Sequence, residues 1–182
     1  MIVLLLHGSR DPRYLESVRA FAEALGLRYA FLEDFSPIHG AVYVPVFIAS
    51  GGDYRRALRL SGSSIPPLAR WPGFKEYLKG LGAAVYIFHG SRDVEYVEDV
   101  RSLGLPYVFL EGEPSIGPDA CRGVGAPVVL NRGVIYYRIV SAWRSAGCRG
   151  ELLPPLFEQE GFARYFSEAL RSLIAPTGGG NP

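Results

Sequence analysis

The sequence predicts an α/β fold of two tandem halves, each a small, mostly parallel sheet with flanking helices, related by a pseudo-two-fold axis around a cleft. Two observations carry this prediction. The segment from His7 to Asp11, HGSRD, occurs again from His89 to Asp93. Each copy directly follows a short apolar run, Ile2 to Leu6 or Val85 to Phe88, and such runs are typical of strands buried on both faces of a parallel sheet.

Strands and helices alternate along the first half. After the first strand, apolar residues recur at helical spacing from Pro12 to Gly26, where the predicted helix ends. Further apolar runs bounded by turn residues complete the unit. They predict strands at 29–32 and 41–48, a weak fourth strand around Ile65, and helices that open at 50–52 and span 74–81.

The second half repeats the first with small insertions. Tyr14 and Pro45 meet Tyr96 and Pro127 at an offset of 82 residues. At other offsets, Phe31-Leu32-Glu33 matches Phe109-Leu110-Glu111, and Pro66-Pro67-Leu68 matches Pro154-Pro155-Leu156. Colinear matches of this kind indicate a tandem duplication. We therefore expect an N-terminal half (1–82), a C-terminal half (83–175) and a flexible Gly-rich tail (176–182).

Charge and composition exclude several classes of function. The 182 residues carry 19 basic and 18 acidic side chains, so no global field favours a nucleic acid as partner. The apolar N-terminal run is too short for a signal peptide or a spanning helix, and we expect a cytoplasmic protein with no membrane partner. Cys121 and Cys148 are too few for a disulfide framework or a metal knuckle, and we expect two small buried thiols.

Each copy of the repeated segment places a histidine at the end of a strand, where ligands of open parallel sheets bind. His7 and His89 are therefore candidates for metal binding or proton exchange. The alternative is a structural histidine that hydrogen-bonds its own loop. Asp11 is expected to cap the helix that follows it rather than to take part in chemistry.

The residues next to each histidine suit a bound carboxylate. Gly8 allows a ligand to approach the backbone closely, whereas Ser9 offers a hydroxyl and Arg10 a bidentate guanidinium. The second copy repeats these polar groups as Ser91 and Arg92.

The loop after the third strand differs between the halves. In the first half, Ser50, Gly51 and Gly52 form a glycine-rich turn before Asp53, whereas the second half has Ile135 in place of the acid. Asp53 is either an oxygen ligand beside His7 or only the cap of its helix. Other candidates are less specific. His39 is either an ordinary loop residue or a residue that approaches the site. The arginines that either line the rim of the cleft or face solvent are Arg55, Arg56, Arg132 and Arg138.

With these motifs established, the chain resembles the class II tetrapyrrole chelatases, in particular the CbiX-type sirohydrochlorin cobaltochelatases and their ferrochelatase relatives. The resemblance rests on the HGSRD strand end, the run YVPVFIASGG at 43–52 and Pro66-Pro67-Leu68. It covers most of both halves. It implies a duplicated four-stranded parallel sheet around a cleft, and insertion of a divalent metal into a sirohydrochlorin-like macrocycle without ATP.

The chain departs from the family pattern at two places. The family uses one histidine in the His-Gly-Ser motif, here His7, and a second just after Gly-Gly, where this chain has Asp53. Asp53 or His89 is then the replacement for the second histidine. Only residues 34–40 separate the second and third predicted strands, although parallel strands usually need about a dozen residues to cross over.

Two main hypotheses follow from the resemblance. The first is a chelatase-type lyase of tetrapyrrole biosynthesis, with cobalt or iron as substrate, no organic cofactor, and His7, Asp53 and His89 as catalytic and metal-binding residues. The second is a non-catalytic tetrapyrrole- or metal-binding paralogue, and a protein that uses only the fold is a third. The expected partner is a tetrapyrrole small molecule, and the chain is an intramolecular pseudo-dimer able to act as a monomer. The expected substrate-binding residues are Gly8, Ser9, Arg10, Ser50, Gly51, Gly52, Ser91 and Arg92.

Overall fold

A computed structural model of the chain describes residues 1–121 and 123–175, so the predicted flexible tail at 176–182 lies outside the described residues. The order of strands and helices follows the sequence prediction, apart from the predicted fourth strand. The strands are β1 (Ile2–Leu6), β2 (Arg28–Phe31), β3 (Val42–Pro45), β4 (Val85–Phe88), β5 (Tyr107–Phe109) and β6 (Gly125–Pro127). The helices are α1 (Pro12–Leu25), α2 (Gly52–Ser61), α3 (Phe74–Gly80), α4 (Val94–Ser102), α5 (Val134–Ser145) and α6 (Phe162–Ile174).

Each half forms a three-stranded parallel sheet with its first strand in the centre. The strand orders are β2-β1-β3 and β5-β4-β6. In the first sheet Leu4 lies opposite Tyr29 and Val44, and in the second Ile87 lies opposite Val108 and Pro127. This topology confirms the predicted α/β class with two similar parallel-sheet halves.

The prediction of a fourth strand around Ile65 is wrong. Ile65 is buried in an irregular segment, and its carbonyl accepts a hydrogen bond from the Tyr54 hydroxyl at 3.0 Å. Pro66 and Pro67, which follow, have no N–H to donate to a strand ladder. In the second half, the corresponding segment keeps only an isolated bridge between Gly125 and Leu152.

The third strand is also shorter than predicted, because β3 ends at Pro45 and not at residue 48. Beyond Pro45 the chain bonds to another segment: the Phe47 and Ile48 carbonyls accept from the amides of Leu68 and Ala69. Between β2 and β3, residues 32–41 cross over β1 without a helix. The short crossover that the sequence indicates is therefore confirmed.

The termini of the first helix in each half agree with the sequence signals. Asp11 caps α1 by accepting from the Arg13 amide at 3.0 Å, and Asp93 caps α4 by accepting from the Glu95 amide at 3.1 Å. Gly26 ends α1 with a φ of 65°, a left-handed conformation that glycine adopts without strain. Both HGSRD segments thus lead into a helix that their own last residue caps.

The two halves pack around one shared apolar core. Alternate residues of the central strands, Leu4 and Leu6 on β1 and Tyr86 and Phe88 on β4, belong to the same buried cluster. Aromatic rings join the halves within it: Phe21 of α1 stacks on Phe157 with centroids 4.0 Å apart. In the part of the chain that the structure describes, no helix has both the length and the apolar composition needed to cross a bilayer.

The two cysteines do not remain separate buried thiols, and that prediction is wrong. Cys121 and Cys148 are half-buried and joined by a disulfide between the β5–β6 connection and the segment after α5. The fold brings together two residues that lie 27 apart in sequence. Disulfides are rare in cytosolic proteins apart from those of hyperthermophiles, so a cytoplasmic location stays a prediction.

We predict that the double variant Cys121→Ser/Cys148→Ser loses about 3.5 kcal/mol in the free energy of unfolding, because the disulfide closes a loop of this length in the unfolded chain. Urea denaturation of both proteins measures the loss. A reducing agent should shift the wild-type midpoint by a similar amount and leave the double variant unchanged. A wild type insensitive to reduction would contradict the prediction.

Candidate active site

A cavity of about 550 Å³ lies between the halves, at the carboxyl ends of both central strands. Both copies of the repeated segment contribute to its wall, and so do both loops after the third strands. No Lys or Arg belongs to the described residues that line it. The polar and aromatic lining residues are His7, Ser9, Tyr14, Phe47, Asp53, Tyr54, His89, Ser91, Tyr96 and Asn131.

His7 contacts two carboxylates through the same ring nitrogen. Its Nδ1 lies 3.0 Å from Glu33 Oε1 and 3.6 Å from Asp53 Oδ2. A ring nitrogen between carboxylates is the one that donates a proton to them, which leaves Nε2 as the ring nitrogen able to offer a lone pair. That lone pair is the group which binds a metal ion or accepts a proton.

Glu33 is itself fixed by the backbone of the repeated segment. Its second oxygen, Oε2, accepts a hydrogen bond from the Gly8 amide at 2.6 Å. A Cβ added at Gly8 would lie 2.4 Å from this oxygen, so only glycine leaves room for the carboxylate. The glycine of the segment therefore admits an acidic side chain of this protein, which in turn orients His7.

The second copy has a different electrostatic environment. His89 Nε2 lies 3.7 Å from Glu111 Oε2, but Glu111 Oε1 also binds Arg138 Nη1 at 2.6 Å. The pKa of Glu111 is lowered, first by the Arg138 hydrogen bond and then by the charge of His89. At the equivalent place in the first half, Arg56 donates to the Leu32 carbonyl instead. Within the described residues, Glu33 therefore has no guanidinium partner, whereas Glu111 has one.

In each half, a tyrosine hydroxyl forms a hydrogen bond with the backbone of the repeated segment. The Tyr14 hydroxyl donates to the His7 carbonyl, and the Tyr96 hydroxyl accepts from the Gly90 amide at 3.4 Å. Burial raises the pKa of each tyrosine to about 12. Both phenols therefore stay neutral at physiological pH. A hydrogen bond to Asn131 of the second half lowers the pKa of Tyr14, against the larger effect of burial.

Polar contacts also cross between the halves beside Asp53. Asp99 of α4 is 3% exposed and accepts from the Ser50 amide at 2.7 Å and from Arg70 Nε at 2.6 Å. Arg55, two residues after Asp53, pairs with Asp93 and Glu95 at the start of α4. These contacts tie the first turn of α2 to the second half.

Three of the four arginines considered for the rim bind acidic side chains of this protein. Arg55 binds Asp93 and Glu95, Arg132 binds Glu158 at 2.8 Å, and Arg138 binds Glu111. Arg10 and Arg92 are exposed and lie outside the cavity wall. His39 is exposed on the crossover loop and does not line the cavity either.

The remaining candidates lie where the sequence places them, on the cavity wall: His7, Gly8, Ser9, Gly51, Gly52, Asp53, His89 and Ser91. Ser50 is buried behind the wall. In the described residues, no three His, Cys, Asp or Glu side chains form a group arranged to hold a metal ion.

Sequence analysis missed Glu33, Asp99 and the two tyrosines as parts of the site. Glu33 and Tyr14 belong to the duplicated positions, matching Glu111 and Tyr96, and their repetition was the available signal. Asp99 has no such signal, because its counterpart in the first half is Ser17.

No protein-family model matches the sequence, and no curated protein does. Among solved structures, the chain is similar to CbiX, described as the terminal enzyme for the biosynthesis of siroheme in denitrifying bacteria. The match covers 96% of this chain and 99% of that chain, with a TM-score of 0.67 and 19% sequence identity.

The chain has the CbiX fold. This confirms the predicted CbiX-type architecture at the level of the fold. Within that architecture, the cavity lies between two halves whose surroundings differ, with Asp53 on one side and Ile135 on the other.

The two equivalent glycines make a matched test of the site. At Gly90, a Cβ would lie 2.0 Å from the Glu111 carbonyl oxygen and the φ is 92°, so Gly90→Ala clashes with backbone. We expect it to lower the free energy of unfolding by at least about 2 kcal/mol. Gly8→Ala has an ordinary φ and meets the movable end of Glu33 first, with Phe31 Cβ at 3.3 Å, so it should cost less than Gly90→Ala but displace that carboxylate from His7.

Urea denaturation of both alanine variants measures the first difference. The second is measured by the histidine side-chain NMR signals, which should change for His7 in Gly8→Ala. Equal stability losses in the two variants, or an unchanged His7 signal, would contradict the geometry described above.

Proposed function

We propose that this protein inserts a divalent metal ion, cobalt or iron, into a tetrapyrrole of the sirohydrochlorin type without ATP. The observation that carries the proposal is His7, oriented by Glu33 and adjacent to Asp53, on the wall of an interhalf cavity in a CbiX fold. The siroheme biosynthesis ascribed to CbiX supports a tetrapyrrole as the class of substrate.

The donor set of the first half suits the proposed metal ions. An imidazole nitrogen together with carboxylate oxygens is a mixed N/O set, which accommodates Co²⁺ and Fe²⁺. Among the residues that the structure describes, no guanidinium pairs with the two carboxylates near His7, so this wall attracts a cation. We assign His7 Nε2 to the incoming metal ion and Glu33 to the orientation of His7. Asp53, which lies 3.6 Å from Nδ1, is the proposed second ligand once its side chain turns toward Nε2.

Charge balance sets the rest of the mechanism. The macrocycle gives up two pyrrole protons as it takes one M²⁺ ion, so both protons need an acceptor. Repulsion between the entering cation and the leaving protons favours opposite faces of the macrocycle. His89, on the wall of the other half, is the proposed acceptor, and Glu111 at 3.7 Å stabilises the imidazolium that forms.

The macrocycle is held mainly by the apolar wall and by small polar groups. Val128, Val129 and Leu130 of the second half supply an apolar surface for it. Gly8, Ser9, Gly51, Gly52 and Ser91 are the proposed contacts inside the cavity. Arg10 and Arg92 are exposed, have no partner within the described residues, and are proposed to bind peripheral carboxylates at the rim.

These assignments leave the protein with one small-molecule partner. We propose that a tetrapyrrole is the small-molecule partner and that the metal ion is the second substrate. We propose no organic cofactor, and neither a nucleic acid nor a membrane as a partner. The cytoplasm is the proposed location, and the pseudo-dimer within one chain is proposed to suffice as a monomer.

The test is cobalt insertion into sirohydrochlorin, followed by the absorbance change of the macrocycle. We expect His7→Ala to lose at least about 100-fold in rate and also to lose Co²⁺ binding, measured by calorimetry without macrocycle. His89→Ala should lose about 100-fold in rate, retain Co²⁺ binding, and recover activity when free imidazole is added as proton acceptor.

His39→Ala is the matched control, since it removes an exposed histidine outside the cavity and should change neither measurement. A wild type that binds the macrocycle but inserts no faster than buffer would reject the enzyme in favour of a binding paralogue. A wild type that binds neither substrate would reject both.

A further inference from the structure

We propose that Asp99, in the second half, is a positioning residue for Asp53 in the first half; the proposal rests on the function proposed above. Asp99 Oδ2 accepts from the Ser50 amide at 2.7 Å, and Oδ1 accepts from Arg70 Nε at 2.6 Å. Arg70 Nη2 donates to Ser50 Oγ at 3.2 Å, which closes a ring of hydrogen bonds around Ser50. The second half thereby holds the residue from which the Asp53 turn starts.

Ser50 is the last firmly packed residue before Asp53. It is 2% exposed, whereas Gly52 and Asp53 are exposed, and a Cβ at Gly51 or Gly52 would meet no atom within 4 Å. Two unpacked glycines do not by themselves fix the direction of the chain. The position of Asp53 beside His7 therefore depends on what holds Ser50 on one side of the turn and the start of α2 on the other.

The start of α2 is also tied to the second half. Arg55 pairs with Asp93 and Glu95, and the pKa of Asp93 is lowered, chiefly by the Arg55 hydrogen bond. Asp93 is the last residue of the second HGSRD segment. That copy of the motif thus supports the helix which presents Asp53, in addition to carrying His89.

Within the described residues, the opposite interface lacks the hydrogen-bond ring, although Arg13 lies over the Tyr137 ring at the positions equivalent to Glu95 and Arg55. Ser17, Arg132 and Glu158 stand where Asp99, Ser50 and Arg70 stand on the other side. Arg132 binds Glu158 within its own half at 2.8 Å. The buried Ser17 Oγ has no hydrogen-bond partner in the described part of the chain. In the described residues, the interhalf ring is thus present on the side with an acid in the turn and absent on the side with Ile135.

A buried carboxylate with one exposed cationic partner costs free energy through desolvation, so stability alone is a weak reason for Asp99. Positioning gives it a role that an apolar residue could not fill, because only an acceptor can hold the Ser50 amide. The Asp99→Asn variant keeps the shape of the side chain but replaces one acceptor oxygen by a donor.

The experiment compares amide hydrogen exchange and Co²⁺ affinity in the full-length protein. The Arg55 amide donates to the Gly51 carbonyl at 2.9 Å, so its exchange reports whether the turn is held. In Asp99→Asn we expect this amide to exchange at least about tenfold faster, and Co²⁺ to bind about five- to tenfold more weakly. In an Asp53→Asn background, the same change should weaken Co²⁺ binding no further, because Asp99 acts through Asp53.

Glu158→Gln is the matched control, since it breaks the equivalent ion pair on the opposite side and should leave both measurements unchanged. Should Asp99→Asn fail to fold, Arg70→Gln opens the same ring from its exposed member. Unchanged Arg55 exchange, or losses from Asp99→Asn and Asp53→Asn that multiply independently, would overturn the proposal. The exchange measurement needs no metal ion. A wild type that does not bind Co²⁺ would refute the proposed function, and the exchange rate of the Arg55 amide would still show whether Asp99 positions the turn.

Discussion

The apolar core that the two halves share determines where a site can form. Leu4 and Leu6 of β1 and Tyr86 and Phe88 of β4 face this core from opposite sides. The carboxyl ends of both central strands therefore open onto one cavity, and the histidines that follow them line it from the two halves. A half of about 85 residues would expose this apolar face if it were alone, so the cavity depends on the association of the halves.

Identical HGSRD segments acquire different chemistry from their surroundings. Glu33 contacts His7 and has no guanidinium partner in the described part of the chain, whereas Glu111 pairs with Arg138. Asp53 adds a second carboxylate on the first side, and its counterpart on the second side is aliphatic. The proposal that one wall of the cavity binds the metal ion and the other accepts protons rests on this divergence. The interhalf contacts of Asp99 lie on the cation side, where the position of Asp53 matters most.

The fold could be predicted because its signals are local and repeated: short apolar runs, helix caps and the duplicated HGSRD segment. The site could be predicted only in part. Glu33 reaches His7 through the parallel pairing of β1 with β2, and hydrophobic periodicity does not specify that register. The partners of Arg55 and Asp99 depend on how the halves pack, and the disulfide depends on how the β5–β6 connection meets the end of α5. The fourth strand failed because Pro66 and Pro67 and the Tyr54 hydroxyl favour an irregular path at Ile65.

The most direct test of this account is to locate the metal ion itself. Crystals soaked in Co²⁺ and measured at the cobalt absorption edge give its position by anomalous scattering. We predict a single cobalt site in the cavity at His7, with Asp53 as the second ligand, that disappears in His7→Ala and persists in His89→Ala. Cobalt bound at His89, equal occupancy at both histidines, or no cobalt in the cavity would contradict it.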